Sequence, residues 1–320
     1  MATATTMTTK TNNITKLVTH DGTFHTDDVF AAAALSLLLA KKKKKFLIIR
    51  TRDPRSIADA DYVFDVGGVY QASKNRFDHH QASFKEKRKN GLPYSSFGLV
   101  WKKFGRQICD GEEVKNYIDK LLVEQIDATD NGLNVFKPIT AHAFNYDISS
   151  VTASFLPVWG EKKSAKFFRN AVKFTTHILK KEIRQFGALV RAKKIINQAY
   201  KGSKNKQIVI LKTDIPRYLA DIATEEYKNM LYLVFQHKKN WKVLTVRKKA
   251  GSFANKKNLP RSWAGLTGRQ LQRVTGVLDA VFCHRGLFLA VAKSKAGAIK
   301  LAELALLKTS AKGRQVVPRT

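Results

Sequence analysis

Histidines and carboxylates cluster near the start of the chain, in the run from His20 to Asp28. The run lies between an apolar segment typical of a buried strand (17–19) and one typical of the first turns of a buried helix (29–35). In an open α/β sheet, such a strand-to-helix turn lies at the carboxyl end of a strand, where ligands bind. Imidazole and carboxylate groups together suit Mn²⁺, Mg²⁺ or Zn²⁺. The alternative is that the polar residues here only cap the helix.

A second group of candidate residues follows two short apolar runs further along the chain. Asp65 comes directly after an apolar run, and Asp78, His79 and His80 are consecutive. Adjacent histidines on a strand point to opposite faces. We therefore expect one of the two histidines to bind a metal and the other to contact substrate or to support a ligand.

A third group ends a predicted helix. That helix covers residues 112–126, and Asp127 and Asp130 follow it. Residues three apart lie near each other if the helix continues through them. Simple turn chemistry is the alternative, because Asp-Asn-Gly is a favoured turn sequence. The spacing leaves open which of the two acids serves as a metal ligand.

All three groups could meet at one edge of a parallel sheet, because each follows an apolar segment. So many ionisable groups cannot share a small dry site unless metal ions offset their charge and desolvation. Two divalent ions bridged by one carboxylate would activate a water and stabilise the leaving oxygen in phosphoryl-ester hydrolysis. The residues of this constellation are His20, His25, Asp27, Asp65, Asp78, His79, His80, Asp127 and Asp130.

Composition bounds the kind of protein. The chain has 320 residues, a length sufficient for two domains of ordinary size. Its hydrophobic fraction of 44% is too high for a disordered chain. A net charge of +33 indicates a polyanionic partner, nucleic acid first, with an unusually basic proteome as the alternative. Cys109 and Cys283 form neither a disulfide framework nor a thiolate zinc site, which fits a reducing compartment. No apolar run approaches the roughly 20 residues that cross a bilayer, so we expect no membrane partner.

The pattern along the chain predicts two α/β regions joined by a basic helix. The helical stretch 162–206 has fourteen Lys or Arg residues and one acid, Glu182, which indicates a cationic surface able to follow a phosphate backbone. A merely solvated helix face is the alternative. We expect a disordered tail over 1–15, a metal-binding catalytic domain over 16–160, a basic helical connector over 161–206, a substrate-binding α/β domain over 207–308, and a basic tail over 309–320.

The ordered motifs resemble those of the DHH phosphoesterase superfamily, whose Asp-His-His motif is seen here at 78–80. More closely, the chain is similar to the melanocyte proliferating gene exonuclease family, from about residue 16 to residue 307. The blocks that carry the resemblance are 20–28, 65–70, 76–81, 126–132, 259–266 and 281–286.

The resemblance implies an α/β fold: a parallel-sheet DHH phosphoesterase domain, a helical connector and a smaller C-terminal α/β domain. It implies a phosphodiesterase using two Mn²⁺ or Mg²⁺ ions, most simply a 3′-to-5′ exonuclease on single-stranded RNA, with DNA as an alternative substrate. Eukaryotic members are associated with the nucleus and mitochondria, and a cytoplasmic location and a homo-oligomer are both compatible with the resemblance.

The resemblance also implies roles for individual residues. Asp65 would bridge the two ions, His80 would act near the substrate phosphate, and Asp78 would orient its neighbours. The metal ligands would be His20, His25, Asp27, Asp65, His79 and either Asp127 or Asp130, and the substrate-binding residues would be Arg76, His284 and Arg285.

One departure from the superfamily concerns His25, which stands where an aspartate is usual. A neutral ligand there removes one negative charge from the site and alters its metal preference. Two further functions are compatible with the sequence. One is a phosphatase or phosphodiesterase acting on a small compound such as pyrophosphate or a cyclic dinucleotide. The other is a basic nucleic-acid-binding protein without catalysis.

Overall fold

The computed structural model of the protein describes residues 14–137, 145–162 and 164–307. Residues 1–13 and 308–320, which hold nearly all of the two predicted tails, lie outside this range, and the first strand already begins at Thr15. The chain divides into two compact units, Met1–Gly187 and Ala188–Thr320. This division falls inside the segment that the sequence predicts as a connector.

The sheet of the N-terminal unit is mostly parallel, as the sequence predicted. Its strands are β1 (Thr15–Thr19), β2 (Phe46–Arg50), β3 (Tyr62–Phe64), β4 (Tyr70–Gln71) and β5 (Arg76–Phe77). Their order across the sheet is β2-β1-β3-β5-β4, with only β4 antiparallel to its neighbour. Because β1, β3 and β5 are parallel and adjacent, their carboxyl ends meet at one edge of the sheet.

Helix α1 (Thr26–Lys41) is buried along almost its whole length. Its alanines and leucines surround the helix axis, a pattern typical of a helix covered on several sides. Helix α3 (Ser96–Cys109) packs against it, with the rings of Phe30 and Phe97 5.3 Å apart. This packing fixes α1 in the core, and the first turn of α1 follows the loop that leaves β1.

Apart from the long helix that begins at Ala165, the remaining helices of this unit are short. The predicted helix over 112–126 is interrupted: α4 (Glu112–Ile118) and α5 (Glu124–Asp130) are separated by a π-helical turn, Asp119–Val123. Single π-helical turns inside α-helices are frequent at functional sites. The others are α2 (Pro54–Ala58), α6 (Ile148–Ala153) and a 3₁₀ turn, Ala72–Lys74.

A 38-residue helix, α7 (Ala165–Gly202), accounts for most of the predicted connector. In the N-terminal unit, Phe168 and Leu179 of this helix are buried. Phe168 meets the ring of Phe24 edge-on, with the centroids 5.6 Å apart. One face of α7 thus belongs to the core, as its apolar spacing predicted.

The C-terminal unit contains a second sheet that is mostly antiparallel. Its strands are β6 (Ile208–Ile210), β7 (Tyr232–His237), β8 (Asn240–Thr245), β9 (Ala280–Cys283) and β10 (Leu289–Ala292). Their order is β6-β7-β8-β10-β9, and only β6 and β7 pair in parallel. The helices are α8 (Arg217–Ala223), a 3₁₀ turn (Arg261–Trp263), α9 (Gly268–Thr275) and α10 (Lys295–Leu307). Trp263 and Leu301 are fully buried in its core.

Within the described ranges, no helix combines the length and the apolarity that a membrane span requires.

Candidate metal centre

The first part of the site lies between β1 and α1. His20 directly follows β1, and Asp27 and Asp28 lie in the first turn of α1, where the helix dipole favours negative charge. The backbone N–H of His25 donates to Asp28 Oδ1 at 3.0 Å. The two acids therefore differ, because Asp28 caps the helix while neither carboxylate oxygen of Asp27 has a hydrogen-bond partner in the described ranges.

Asp65 forms the centre of the site. It directly follows β3, is almost fully buried, and has a φ of 58°, a left-handed conformation that is uncommon for residues other than glycine. Its Oδ2 lies 3.1 Å from His20 Nε2, and its Oδ1 lies 3.5 Å from His79 Nε2. Ser96 Oγ also donates to Oδ1, at 3.2 Å. The two oxygens of one carboxylate thus face two different groups of imidazoles.

The Asp-His-His motif follows β5, which ends at Phe77. Asp78 Oδ2 accepts from the Gly68 N–H at 2.6 Å, and Asp78 Oδ1 lies 2.8 Å from His80 Nδ1. The rings of His79 and His80 are 4.3 Å apart, and a nitrogen of each lies within 3.6 Å of Asp65 Oδ1. The prediction that the two histidines point to opposite faces is therefore wrong, because the strand has already ended and its alternation no longer applies.

The structure separates Asp127 from Asp130. Asp130 is the last residue of α5, and its Oδ2 lies 3.3 Å from His79 Nε2. Asp127 lies one turn deeper, where it accepts from Arg88 Nε at 2.7 Å and from Ser95 Oγ at 2.7 Å. Of the two alternatives left open by the sequence, Asp130 is the one placed at the site. The prediction of Asp127 as a ligand is corrected, because its oxygens already pair with Arg88 and Ser95.

The donor set fits a divalent metal. Within three overlapping groups, the potential ligand atoms all lie within 4.8 Å of one another. Several residues of these groups, together with the neighbouring Asp28, have buried atoms without hydrogen-bond partners among the described residues: His20 Nδ1, both oxygens of Asp27, Asp28 Oδ2 and His79 Nε2. Buried polar atoms are rarely left unpaired without a reason such as an absent ion or water. The groups are His20, His25 and Asp65; Asp65, His79 and His80; and His25, Asp27 and Asp130.

The electrostatics of the cluster also favour a cation. Burial, followed by the nearby charge of Asp65, raises the pKa values of Asp27 and Asp28 well above the usual carboxyl range. Burial likewise raises the pKa of Asp130. For Asp65, burial acts in the same direction, but the contacts from His20 and His79 outweigh it and lower its pKa. Three acids whose pKa is raised thus lie beside Asp65, whose pKa is lowered. A divalent ion bound among them would stabilise their ionised forms.

A cavity of about 610 Å³ opens onto the cluster. Besides candidate ligands and their neighbours, it is lined by Arg52, Gly67, Gly68 and Gln81. Gly67 and Gly68 have φ values of 96° and 66°, so the chain turns here in a way that favours glycine. The sequence interpretation missed Arg52, although it lies just beyond the end of β2, where the strand-end rule could have identified it.

Arg50, another residue missed from the sequence, supports the loop after β1. It is the last residue of β2, and its Nε donates to the carbonyl oxygen of His20 at 3.1 Å. A second hydrogen bond joins its guanidinium to the carbonyl of Gly22, and the group lies over the ring of Phe168. Arg50 therefore fixes the backbone of the loop that carries His20, the first candidate ligand.

The predicted substrate-binding residues are divided between the two units. Arg76 donates to the carbonyl oxygens of Lys74 at 3.1 Å and Ala58 at 3.3 Å and does not line the cavity, so the structure does not place it at the centre. Its guanidinium is occupied by backbone carbonyls at the ends of α2 and of the 3₁₀ turn. In the C-terminal unit, His284 and Arg285 lie in the turn between β9 and β10, where His284 Nδ1 accepts from the Gly286 N–H at 2.9 Å. Their substrate role stays a prediction.

Comparison with known proteins gives a family match over most of the chain. The family model MYG1_exonuc, described as an uncharacterised protein family (UPF0160), matches residues 16–306. The chain is 28% identical over 324 residues to a MYG1 protein of Schizosaccharomyces pombe, covering 92% of this chain and 98% of that one. It is 30% identical over 321 residues to a MYG1 protein of Caenorhabditis elegans, covering 90% and 94%. It is 28% identical over 328 residues to the MYG1 exonuclease of Mus musculus, covering 92% and 86%.

Among solved structures, RecJ in complex with Mn²⁺ from Thermus thermophilus matches with a TM-score of 0.26 and 11% identity, over 92% of this chain and 52% of that one. An exopolyphosphatase-related protein from Bacteroides fragilis matches with a TM-score of 0.25 and 11% identity, over 92% and 91%.

Proposed function

Because the chain belongs to the MYG1 exonuclease family, as its ordered motifs predicted, we propose that it is a metal-dependent phosphodiesterase that shortens single-stranded RNA from the 3′ end. The observation that carries the proposal is the placement of Asp65. One of its oxygens faces His20 and the other faces His79, so Asp65 could contribute an oxygen to each of two ions. The word exonuclease in the names of the mammalian relatives supports the reaction class.

The chain's own residues divide into two ligand sets that share Asp65. His20 with Asp65 would hold one ion, and His79 with Asp65 would hold the other. His25, Asp27 and Asp130 would complete the coordination. When bound, two Mn²⁺ or Mg²⁺ ions would supply Lewis-acid activation of a water and neutralise charge at the phosphate.

His80 is suited to contact the substrate phosphate. Its side chain is 61% exposed and lines the cavity, while Nδ1 is held by Asp78. The hydrogen bond to Asp78 raises the pKa of His80, which favours the protonated ring. An imidazolium that is fixed by one nitrogen and open at the other can donate a proton or a hydrogen bond to a phosphate oxygen. Asp78 would therefore orient His80 and favour its protonated form.

A polymeric substrate is supported by charge. The net charge of +33 suits a polyanion better than a small phosphate ester, since each contacted phosphate adds to electrostatic affinity. DNA stays the alternative polymer. We also propose a nuclear or mitochondrial location, for which the family resemblance is the support.

The first test is incubation of the purified protein with end-labelled single-stranded RNA in Mn²⁺, in Mg²⁺ and with chelator. We expect a metal-dependent ladder of products shortened from the 3′ end. Asp65→Asn should lower the rate by at least about 100-fold, since even supporting residues of metal sites contribute 10–100-fold. Asp110→Asn is the matched control, because Asp110 has nearly the same φ, 57°, and is exposed at the end of α3.

Hydrolysis of pyrophosphate or a cyclic dinucleotide, without degradation of RNA or DNA, would move the function to small phosphoesters. Binding of RNA with no turnover of any substrate would identify a nucleic-acid-binding protein instead.

A further inference from the structure

A second cavity adjoins the metal centre. It has a volume of about 650 Å³ and is lined by Gly68, Val69 and Tyr70 on one side and by residues 81–87, except 82, on the other. Gly68 and Gln81 line both this cavity and the one that opens onto the candidate ligands. A ligand whose reacting group lies at the metal centre would therefore reach the second cavity with its neighbouring part.

Gln81 has an unused hydrogen-bond acceptor at this junction. Its Nε2 donates to the carbonyl oxygen of Asp78 at 3.1 Å, and only the amino end of the amide can do so, which fixes the orientation of the group. Its Oε1 is buried and has no hydrogen-bond partner among the described residues. A buried acceptor without a partner is unfavourable. A ligand that places a donor there would gain a hydrogen bond, and a ligand without that donor would bind less tightly.

The walls of the second cavity suit a nucleotide. Val69, Tyr70 and Phe84 supply apolar and aromatic surface, with the rings of Tyr70 and Phe84 5.6 Å apart and edge-on. Lys85 and Lys87 are exposed cations on the same wall, and Glu86 between them pairs with Lys102 at 2.7 Å. Aromatic side chains beside cations bind single-stranded nucleic acid through base stacking and phosphate contacts. The volume is in the usual range of ligand pockets, roughly 300–1,000 Å³.

We propose that this cavity binds the nucleotide next to the scissile phosphate, and that Gln81 Oε1 accepts a hydrogen bond from its ribose 2′-hydroxyl. The inference rests on the proposed function and adds the residue that distinguishes RNA from DNA. The 2′-hydroxyl is the donor that RNA has and DNA lacks. A deoxyribose in the same position leaves the buried oxygen of Gln81 unpaired, so DNA is expected to be the poorer substrate.

The test is a scan of one 2′-deoxy substitution at a time along an end-labelled oligoribonucleotide, with kcat/KM measured in Mn²⁺. We expect the wild-type protein to lose about tenfold when the deoxyribose occupies the one position adjoining the scissile phosphate, and little elsewhere. In Gln81→Met, which is similar in size and lacks the acceptor, all-ribose and deoxy-substituted substrates should react at the same rate. Gln71→Met on the exposed strand β4 is the matched control and should keep the wild-type pattern.

The outcomes separate the inference from the proposed function. If wild-type protein degrades RNA but is indifferent to every 2′-deoxy substitution, the inference is overturned and the nuclease function stands. The same holds if Gln81→Met slows all substrates equally and keeps the deoxy effect, since that indicates only a structural role for the bond to Asp78. If neither RNA nor DNA is hydrolysed while bis(p-nitrophenyl) phosphate is hydrolysed in Mn²⁺, the polymer function and the inference both fail.

Discussion

Asp127 and Asp130 lie one helical turn apart, yet alanine substitution at the first should lower stability and at the second should weaken metal binding. The Asp127 carboxylate is fully buried and accepts from Arg88 Nε and from the Oγ and N–H of Ser95, at 2.7, 2.7 and 3.1 Å. Asp127→Ala leaves all three donors without this acceptor. Breaking a buried ion pair costs about 3–5 kcal/mol. Because Arg88 keeps both hydrogen bonds to Asp119, we expect the lower end, about 3 kcal/mol.

Asp130→Ala should instead spare stability and weaken metal binding. Burial raises the pKa of Asp130, so its removal from the metal-free protein takes away the cost of burying an ionised carboxylate. We expect an unfolding free energy within about 0.5 kcal/mol of wild type. The affinity for Mn²⁺ should fall at least about tenfold, since a lost ligand matters no less than a lost supporting residue.

The two variants serve as controls for each other. Urea denaturation of the full chain in chelator measures the free energy of unfolding, and calorimetric titration with Mn²⁺ measures the affinity. If Asp127→Ala abolished Mn²⁺ binding with its unfolding free energy unchanged, Asp127 would be a ligand and the argument from its buried contacts would be refuted.

Three further predictions concern the same site. Burial and the charge of Asp65 raise the pKa of Asp27, so the folded state favours its protonated form. The stability of the metal-free protein should therefore fall as pH rises above the usual carboxyl pKa of about 4. Thermal denaturation of Asp27→Asn should show a weaker dependence of stability on pH. Saturating Mn²⁺ should raise the melting temperature by neutralising the buried acids, and chelator should reverse the shift. Because Asp78 raises the pKa of His80, the rate of RNA hydrolysis should decline only at a pH above the usual imidazole pKa of about 6.5. If the pH–rate profile of His80→Gln kept this alkaline decline, His80 would not be the group that donates to the phosphate.

Much of the site follows from local sequence. His20, Asp65 and Asp78 each come directly after a strand, and parallel strands bring their carboxyl ends to one edge of a sheet. The apolar runs that predict the strands also predict this convergence, without knowledge of any contact. The helical character of residues 165–202 is readable for the same reason, because apolar spacing is a local property.

Local spacing is least informative where a strand or helix ends. A strand that continued through His79 and His80 would separate the two rings, whereas the actual strand ends at Phe77 and lets both rings turn toward Asp65. The sequence does not indicate which residue is the last in a strand this short, because hydrogen bonds to β3 and β4 decide it.

Residue types and spacing thus determined the chemistry available to this protein: imidazoles and acids at the ends of parallel strands, suited to divalent metal. Only the tertiary structure decided which acid is free to act. Asp127 pairs with Arg88, 39 positions earlier in the chain, while Asp130 reaches His79. The physical reason is that a buried carboxylate pairs with the donors that the fold brings to it. Those donors come from distant segments, whose proximity no local pattern encodes.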